Sequence, residues 1–194
     1  MTDLSPHRVL HDFYPTPPEG TRALLSVEQF DGPIWEPACG DGAIAKVLSK
    51  AGYHVTSTDL INRGYGTHGV NFLAETTARA KHIVTNPPYG RGLADQFVLH
   101  ALRLTRPTGG SVTMLLDLAG LAHPIRHGLW VNNPPANVYI LDELMCHPAG
   151  IPKFTTAEMR YAWLVWKPHH TGRPALWWLS TARFKTPPDP RGRR

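Results

Sequence analysis

Pro33-Ile34-Trp35-Glu36-Pro37-Ala38-Cys39-Gly40-Asp41-Gly42 runs a short apolar segment straight into a glycine-rich turn. Residues 43–51 then carry Ile44, Val47 and Leu48 on one helical face, with Gly52 as the stop. His54 to Thr58 reads as the next strand, and it ends at Asp59. Strand, glycine turn, helix, strand and acid form the opening of an α/β unit with a parallel sheet. Ligands of open parallel sheets bind at the carboxyl ends of the strands, where this turn lies. The glycines let the backbone take positive φ and approach a ligand closely. The turn lacks the G-x-G-x-x-G spacing of dinucleotide folds and the terminal Gly-Lys-Ser/Thr of a phosphate loop. A carboxylate about twenty residues past the turn can accept hydrogen bonds from both hydroxyls of a ribose. The same residues also fit a tight turn followed by a surface aspartate.

The alternation continues on both sides. Glu19 to Leu25 reads as a helix behind a proline-rich lead, and a third strand is expected just before Asn71. Lys81 to Thr85 is a strand stopped by Pro87-Pro88, Gly92 to Thr105 a helix, and Ser111 to Leu116 a buried strand. Ala119 to Leu129 reads as helical with an interruption at Pro124. Asn137 to Leu141 and Arg160 to Trp166 read as the last two strands, close enough in sequence for an antiparallel pair. The expected fold is a single Rossmann-like α/β domain: a mostly parallel seven-stranded sheet, an antiparallel last strand, and helices on both faces. Residues 1–11 are expected to be a flexible lead, 12–180 the domain, and 181–194 a basic Pro/Arg-rich tail, with no separate target-recognition domain.

At 194 residues, with 42% hydrophobic and 18% charged, the chain suits one domain with a full core. No apolar run reaches transmembrane length and the first residues are polar, so a cytoplasmic protein is expected. Two cysteines, Cys39 and Cys146, make neither a disulfide framework nor a zinc site, and the eleven histidines are scattered, so no metal is expected. The net charge of +5 suits a polyanionic partner, a weak signal alone.

Glu36-Pro37-Ala38-Cys39-Gly40-Asp41-Gly42 resembles the cofactor-binding first motif of class I S-adenosyl-L-methionine-dependent methyltransferases, in the form found in enzymes acting on DNA adenine amino groups. The resemblance implies that Gly40 and Gly42, with Pro37 and Ala38 in the same turn, line the methionine part of the cofactor. It implies that Asp59 holds the ribose, and that Glu36 fixes the turn or a water beside the amine. Asn71 and Phe72 stand where the family usually has an aspartate followed by phenylalanine; the acceptor would meet the cofactor adenine and the aromatic would pack on its ring. Asn71 departs from that pattern, though its amide oxygen still accepts. A loop asparagine before a core phenylalanine is the other reading.

Thr85-Asn86-Pro87-Pro88-Tyr89-Gly90 follows the fourth expected strand. An amino nitrogen on a heterocycle is a poor nucleophile because its lone pair is delocalised into the ring. Two acceptors bonded to its two hydrogens favour a pyramidal nitrogen with its lone pair aimed at the methyl. The Asn86 side-chain oxygen is one candidate acceptor and the Pro87 carbonyl the other. Pro87 and Pro88 fix φ and hold the preceding residues extended, so the acceptors are pre-set at low entropic cost. Tyr89 offers a face for stacking on a base, worth on the order of 1–3 kcal/mol. Asn-Pro-Pro-Tyr at a strand end resembles the catalytic motif of N6-adenine DNA methyltransferases, and it also occurs in glutamine-N5 and some RNA amino-methyltransferases. Phe13-Tyr14-Pro15-Thr16-Pro17 resembles the segment that closes over the cofactor in adenine methyltransferases, which implies that Thr16 meets the cofactor carboxylate and Tyr14 lines the pocket.

The expected function is methyl transfer from S-adenosyl-L-methionine to N6 of adenine in DNA, with the base flipped out of any duplex. An RNA amino-methyltransferase and a protein glutamine-N5 methyltransferase are the alternatives. Arg91, Lys153 and Phe154 are the candidate nucleic-acid contacts, Phe154 either stacking on a flipped base or covering the sheet edge. The second half of the chain matches the family by strand pattern only.

Overall fold

The computed structural model describes residues 13–147 and 159–185. Seven strands form one sheet: β1 (Ile34–Glu36), β2 (Val55–Ser57), β3 (His82–Thr85), β4 (Val112–Asp117), β5 (Asn137–Leu141), β6 (Tyr161–Trp166) and β7 (Ala175–Leu179). Their spatial order is β2-β1-β3-β4-β6-β5-β7. β2, β1, β3 and β4 run parallel; β6 runs antiparallel to both β4 and β5, and β7 is parallel to β5. The described residues between β5 and β6 carry no helix, and β6 returns antiparallel to β5.

Successive residues of each central strand feed opposite faces. Ile34, Val84, Leu115 and Trp163 pack with Leu24, Ile44 and Leu48 from α1 (Pro18–Leu25) and α2 (Ala43–Lys50). Trp35, Ile83, Met114 and Leu164 pack with Phe97, Ala101 and Leu104 from α3 (Leu93–Thr105). Burial on both faces explains why these strands read as continuous apolar runs. Trp163 Nε1 donates to the Gly20 carbonyl, tying α1 to the sheet.

Seven strands with an antiparallel member match the expectation, but the membership differs. The strand expected before Asn71 is reduced to one isolated parallel bridge, Thr58 with Thr67. Gly64, Gly66 and Gly69, all at positive φ, turn the chain through that segment instead of extending it. The seventh strand is β7, Ala-Leu-Trp-Trp-Leu, which the sequence reading did not single out. It lies at the sheet edge with Trp177 and Trp178 exposed, so the in–out alternation that marks a half-buried strand is missing. The interrupted helix at 119–129 is two 3-10 turns, Leu118–Ala122 and Pro124–Arg126, followed by α4 (His127–Asn132). Structure continues past residue 180: Thr181 is buried on Asp142, and Arg22 donates to the Phe184 carbonyl. Among the described residues no helix is long and apolar enough to cross a membrane.

β3 and β4 sit close because Gly110 precedes β4. A Cβ at Gly110 would overlap the Lys81 carbonyl, a backbone atom that cannot rotate away. Gly110→Ala should therefore cost about 1–3 kcal/mol, as overpacking does. A urea midpoint that is unchanged from the wild type would contradict this placement.

Candidate functional site

A cavity of about 720 Å³ opens at the carboxyl ends of β1, β2 and β3. Five segments line it: Phe13 to Thr16, the Glu36 to Asp41 turn with Ala43 and Ile44, Asp59 to Arg63, Val70 to Leu73, and Asn86 to Gly90 with Leu93 and Phe97. The three motif segments picked from the sequence therefore converge on one site.

The glycine turn is shaped by its neighbours. Gly40 and Gly42 have φ of 56° and 80°, a region that side-chain-bearing residues rarely take. Gly40 has no room for a Cβ because the Phe13 ring lies against it, and Gly42 is covered in the same way by Tyr65. Gly42 also serves as the N-cap of α2. β1 and β2 are laced together beside the turn: Cys39 N–H donates to the Thr58 carbonyl at 3.0 Å, and Trp35 Nε1 donates to Thr58 Oγ1 at 2.9 Å.

Three carboxylates face the cavity. Asp59 Oδ2 accepts from the Gly40 N–H and Oδ1 from the Ile61 N–H, each at 2.8 Å. Each oxygen keeps a second lone pair for a ligand hydroxyl. Asp41 accepts from the Ala43 N–H at the start of α2. Glu36 is 1% exposed, and its Oε2 accepts from the Ala45 N–H at 2.9 Å. Burial drives the Glu36 carboxyl well above its ordinary range; the Ala45 N–H opposes this, and the charges of Asp41 and Asp59 add to it. Burial, with the charges of Glu36 and Asp59, pushes the Cys39 thiol up to about 12, so it stays a packed thiol and no nucleophile.

Asn86 stands at the end of β3 with its amide held on three sides. Nδ2 donates to the Tyr14 carbonyl and to Thr16 Oγ1, both at 3.1 Å. Two acceptors on that side settle which corner of the amide is nitrogen. Oδ1 accepts from the Tyr89 hydroxyl at 2.7 Å, which is also 2.9 Å from the Leu115 carbonyl. One hydroxyl hydrogen serves two acceptors, so Oδ1 keeps at least one lone pair open. Thr16 is 3% exposed and its hydroxyl, having accepted from Asn86, still has a hydrogen to donate. Burial raises the Tyr89 phenol well above its ordinary value and keeps it a neutral donor. Its ring lies tilted against Tyr161 at 6.4 Å.

Other expected site residues are placed less simply. Phe72 is buried in the core, edge-on to Trp35 and tilted against Phe97, and meets the cavity from there. Asn71 lines the cavity, but its Oδ1 already accepts from the Leu73 N–H at 3.1 Å. Pro37 and Ala38 line the cavity with the turn, as do Pro87 and Pro88 with Asn86. Arg91 lies in the 3-10 turn Gly90–Gly92 that leads from the Asn86 loop into α3. Lys153 and Phe154 lie outside the described residues. Phe13, Ile61, Arg63, Leu93 and Phe97 also line the cavity and were not singled out from the sequence. Phe13 opens a segment that was recognised, but no role was given to it there; Ile61 and Arg63 sit in an irregular segment with no periodic signal.

Neither a protein-family model nor a curated protein matches the chain. Solved structures do. A Listeria monocytogenes protein described as a class I S-adenosylmethionine-dependent methyltransferase superposes with a TM-score of 0.61 at 14% identity, over 90% of this chain and 68% of its own. The modification subunit of a type I restriction enzyme from Vibrio vulnificus gives 0.58 at 15% identity, over 98% of this chain and 49% of its own. This chain thus spans about half the length of that subunit. A Pyrococcus horikoshii protein described as an RNA methyltransferase gives 0.55 at 12% identity, over 78% of this chain and 81% of its own. At these identities the likeness establishes the fold, the Rossmann-like α/β fold of class I methyltransferases.

Glu36 links the site to pH. Its folded-state pKa lies above the ordinary value of about 4.3, so below that value the folded and unfolded chains are both protonated and no penalty exists. As pH rises, the unfolded chain releases its proton first, and stability falls until the folded pKa is passed. Glu36→Gln has no proton to lose and its oxygen can still accept from Ala45. It should melt higher than the wild type at neutral pH, with the gain shrinking toward pH 4. A gain that is the same at pH 4 and pH 8 would show that the burial of charge is not its source.

Proposed function

We propose that this chain transfers a methyl group from S-adenosylmethionine to an exocyclic amino nitrogen, N6 of adenine in DNA. The observation that carries the reading is the Asn86 amide, held at the cavity wall with its nitrogen committed and its oxygen partly open.

The residues present fit the cofactor. Its sulfonium and ammonium are cationic, and Glu36, Asp41 and Asp59 line the cavity. Gly40 and Gly42, with Pro37 and Ala38, follow its methionine part; Asp59 takes the ribose hydroxyls; Asn71 and Phe72 flank its adenine; Tyr14 and Thr16 close over it. When bound, the cofactor supplies a methyl on a positively charged sulfur that leaves without further activation. The chain's part is to position and polarise the amine. Asn86 Oδ1 accepts one amino hydrogen and the Pro87 carbonyl the other, which directs the nitrogen lone pair toward the methyl. As the nitrogen–methyl bond forms the carbon–sulfur bond breaks and leaves a neutral thioether; the nitrogen, now cationic, then releases one of its two original hydrogens to water. Pro87 and Pro88 keep the two acceptors in place through their fixed φ.

Tyr89, anchored through its hydroxyl, is read as the ring that stacks on the base. A base inside a duplex must be flipped out to reach the site. Arg91, in the turn that follows the Asn86 loop, and Lys153 and Phe154, outside the described residues, are assigned to the nucleic acid. The name of the Vibrio relative, a restriction-enzyme modification subunit, supports DNA as the polymer, and that of the Pyrococcus relative makes RNA the arm to test against it.

Labelled methyl groups should pass from S-adenosylmethionine to DNA and appear as N6-methyladenine, with RNA and protein pools unlabelled. Label in RNA or on glutamine alone would overturn the DNA reading. Asn86→Ala should lower turnover on the order of a hundredfold, the scale of losing one fixed polar group at a reacting centre. Because Asn86 Nδ2 also ties down Tyr14 and Thr16, the same variant should weaken cofactor binding several-fold rather than leave it intact. Unchanged turnover would sink the amine-polarising mechanism.

A further inference from the structure

The cavity's charge inventory leaves one cofactor group unmatched. Three carboxylates line it, and they suit the sulfonium and the ammonium. S-adenosylmethionine also carries a carboxylate, and an anion taken from water into a partly closed, largely apolar cavity needs hydrogen-bond donors, of which a cationic one serves it best. Thr16 can offer one neutral hydroxyl only. Arg63 is the one cation among the described residues that line the cavity. Resting on the methyl-donor reading above, we propose that Arg63 binds the cofactor carboxylate and so is a binding residue of this site.

Position supports the assignment. The Arg63 guanidinium carbon lies 4.1 Å from the centre of the Phe13 ring. That ring presses on Gly40, in the turn assigned to the methionine part of the cofactor. A chain of contacts therefore runs from the guanidinium through Phe13 to the glycine turn. A guanidinium set against a ring keeps its N–H groups in its own plane, at the edges, where a planar carboxylate meets them in pairs. The ring also limits the rotamers of a long side chain, so less freedom is lost when the ligand arrives. Arg63 is held by local structure as well: Asn62 Oδ1 accepts from the Gly64 N–H, forming a turn around it, and the Ile61 N–H is bonded to Asp59. The same short segment thus carries the acid assigned to the ribose and the base assigned to the carboxylate, four residues apart.

Titration calorimetry on the full chain tests this with three ligands. S-adenosylmethionine and S-adenosylhomocysteine carry the carboxylate; decarboxylated S-adenosylmethionine lacks only that group. Arg63→Ala should weaken the first two by at least about tenfold, the scale of a lost charge-assisted hydrogen bond, and the third by less than about twofold. Arg63→Lys, with the charge but no fork, should fall between. Equal losses for all three ligands would make Arg63 a structural cover, and no loss would remove it from the site; either result overturns the inference and leaves the methyl-donor reading standing. A wild-type chain that binds none of the three overturns both.

Discussion

The carboxamide of Asn86 holds the site together. It lies at the end of a central strand, and its nitrogen reaches back to the Tyr14 carbonyl and the Thr16 hydroxyl, 72 and 70 residues earlier in the chain. Only a side chain with donors at one corner and an acceptor at the other can make these bonds and accept from Tyr89 as well. The two prolines that follow have no N–H to offer and little freedom to move. The lead-in to α1, the end of β3 and the Tyr89 loop are thereby locked into one wall of the cavity. On the proposed function, the atom that polarises the amine and the segment that covers the cofactor are held by the same amide. Binding and turnover are then coupled at that residue.

The opposite wall is organised by carboxylates that the folded chain accommodates at a cost. Glu36 is buried with a single backbone donor, near two further acids. Burial favours the protonated form of such a carboxyl, and a cationic ligand beside it would favour the ionised one. The glycine turn brings the Gly40 N–H to one oxygen of Asp59, and the Ile61 N–H reaches the other. On the proposed function, these acids would meet the cationic sulfur and nitrogen of S-adenosylmethionine, and Arg63 its carboxylate.

The rest of the fold positions these two walls. Gly110 lets β4 lie close to β3, and the alternation of Met114 and Leu115 across β4 seats α3 on one face and the α1–α2 pair on the other. β6 and β5 extend the sheet and β7 closes the order at the edge opposite β2, while the strand expected just before Asn71 does not form. Losing that strand leaves residues 60–70 as an irregular, glycine-punctuated segment over the turn. That segment delivers Ile61 and Arg63 to the cavity and lays Tyr65 over Gly42.

Much was legible in the linear chain because the controlling forces are local. Hydrophobic runs of the right length marked β1, β3 and β4, and the periodic helices α2 and α3 followed from their apolar faces. The glycines of the turn and the prolines after Asn86 carried their backbone requirements in their own covalent structure. Tertiary structure decided what depends on distant partners. It gave Asn86 its bonds to Tyr14 and Thr16, placed the Tyr89 hydroxyl inward, and raised the proton affinity of Glu36 by removing water. It replaced an expected strand near residue 70 with an irregular segment, because three glycines at positive φ turn the chain there. It made an edge strand of the Trp177-Trp178 run. Arg63 belongs to this second group: nothing in its neighbours along the chain marks it, and only folding brings its charge against Phe13 and the glycine turn.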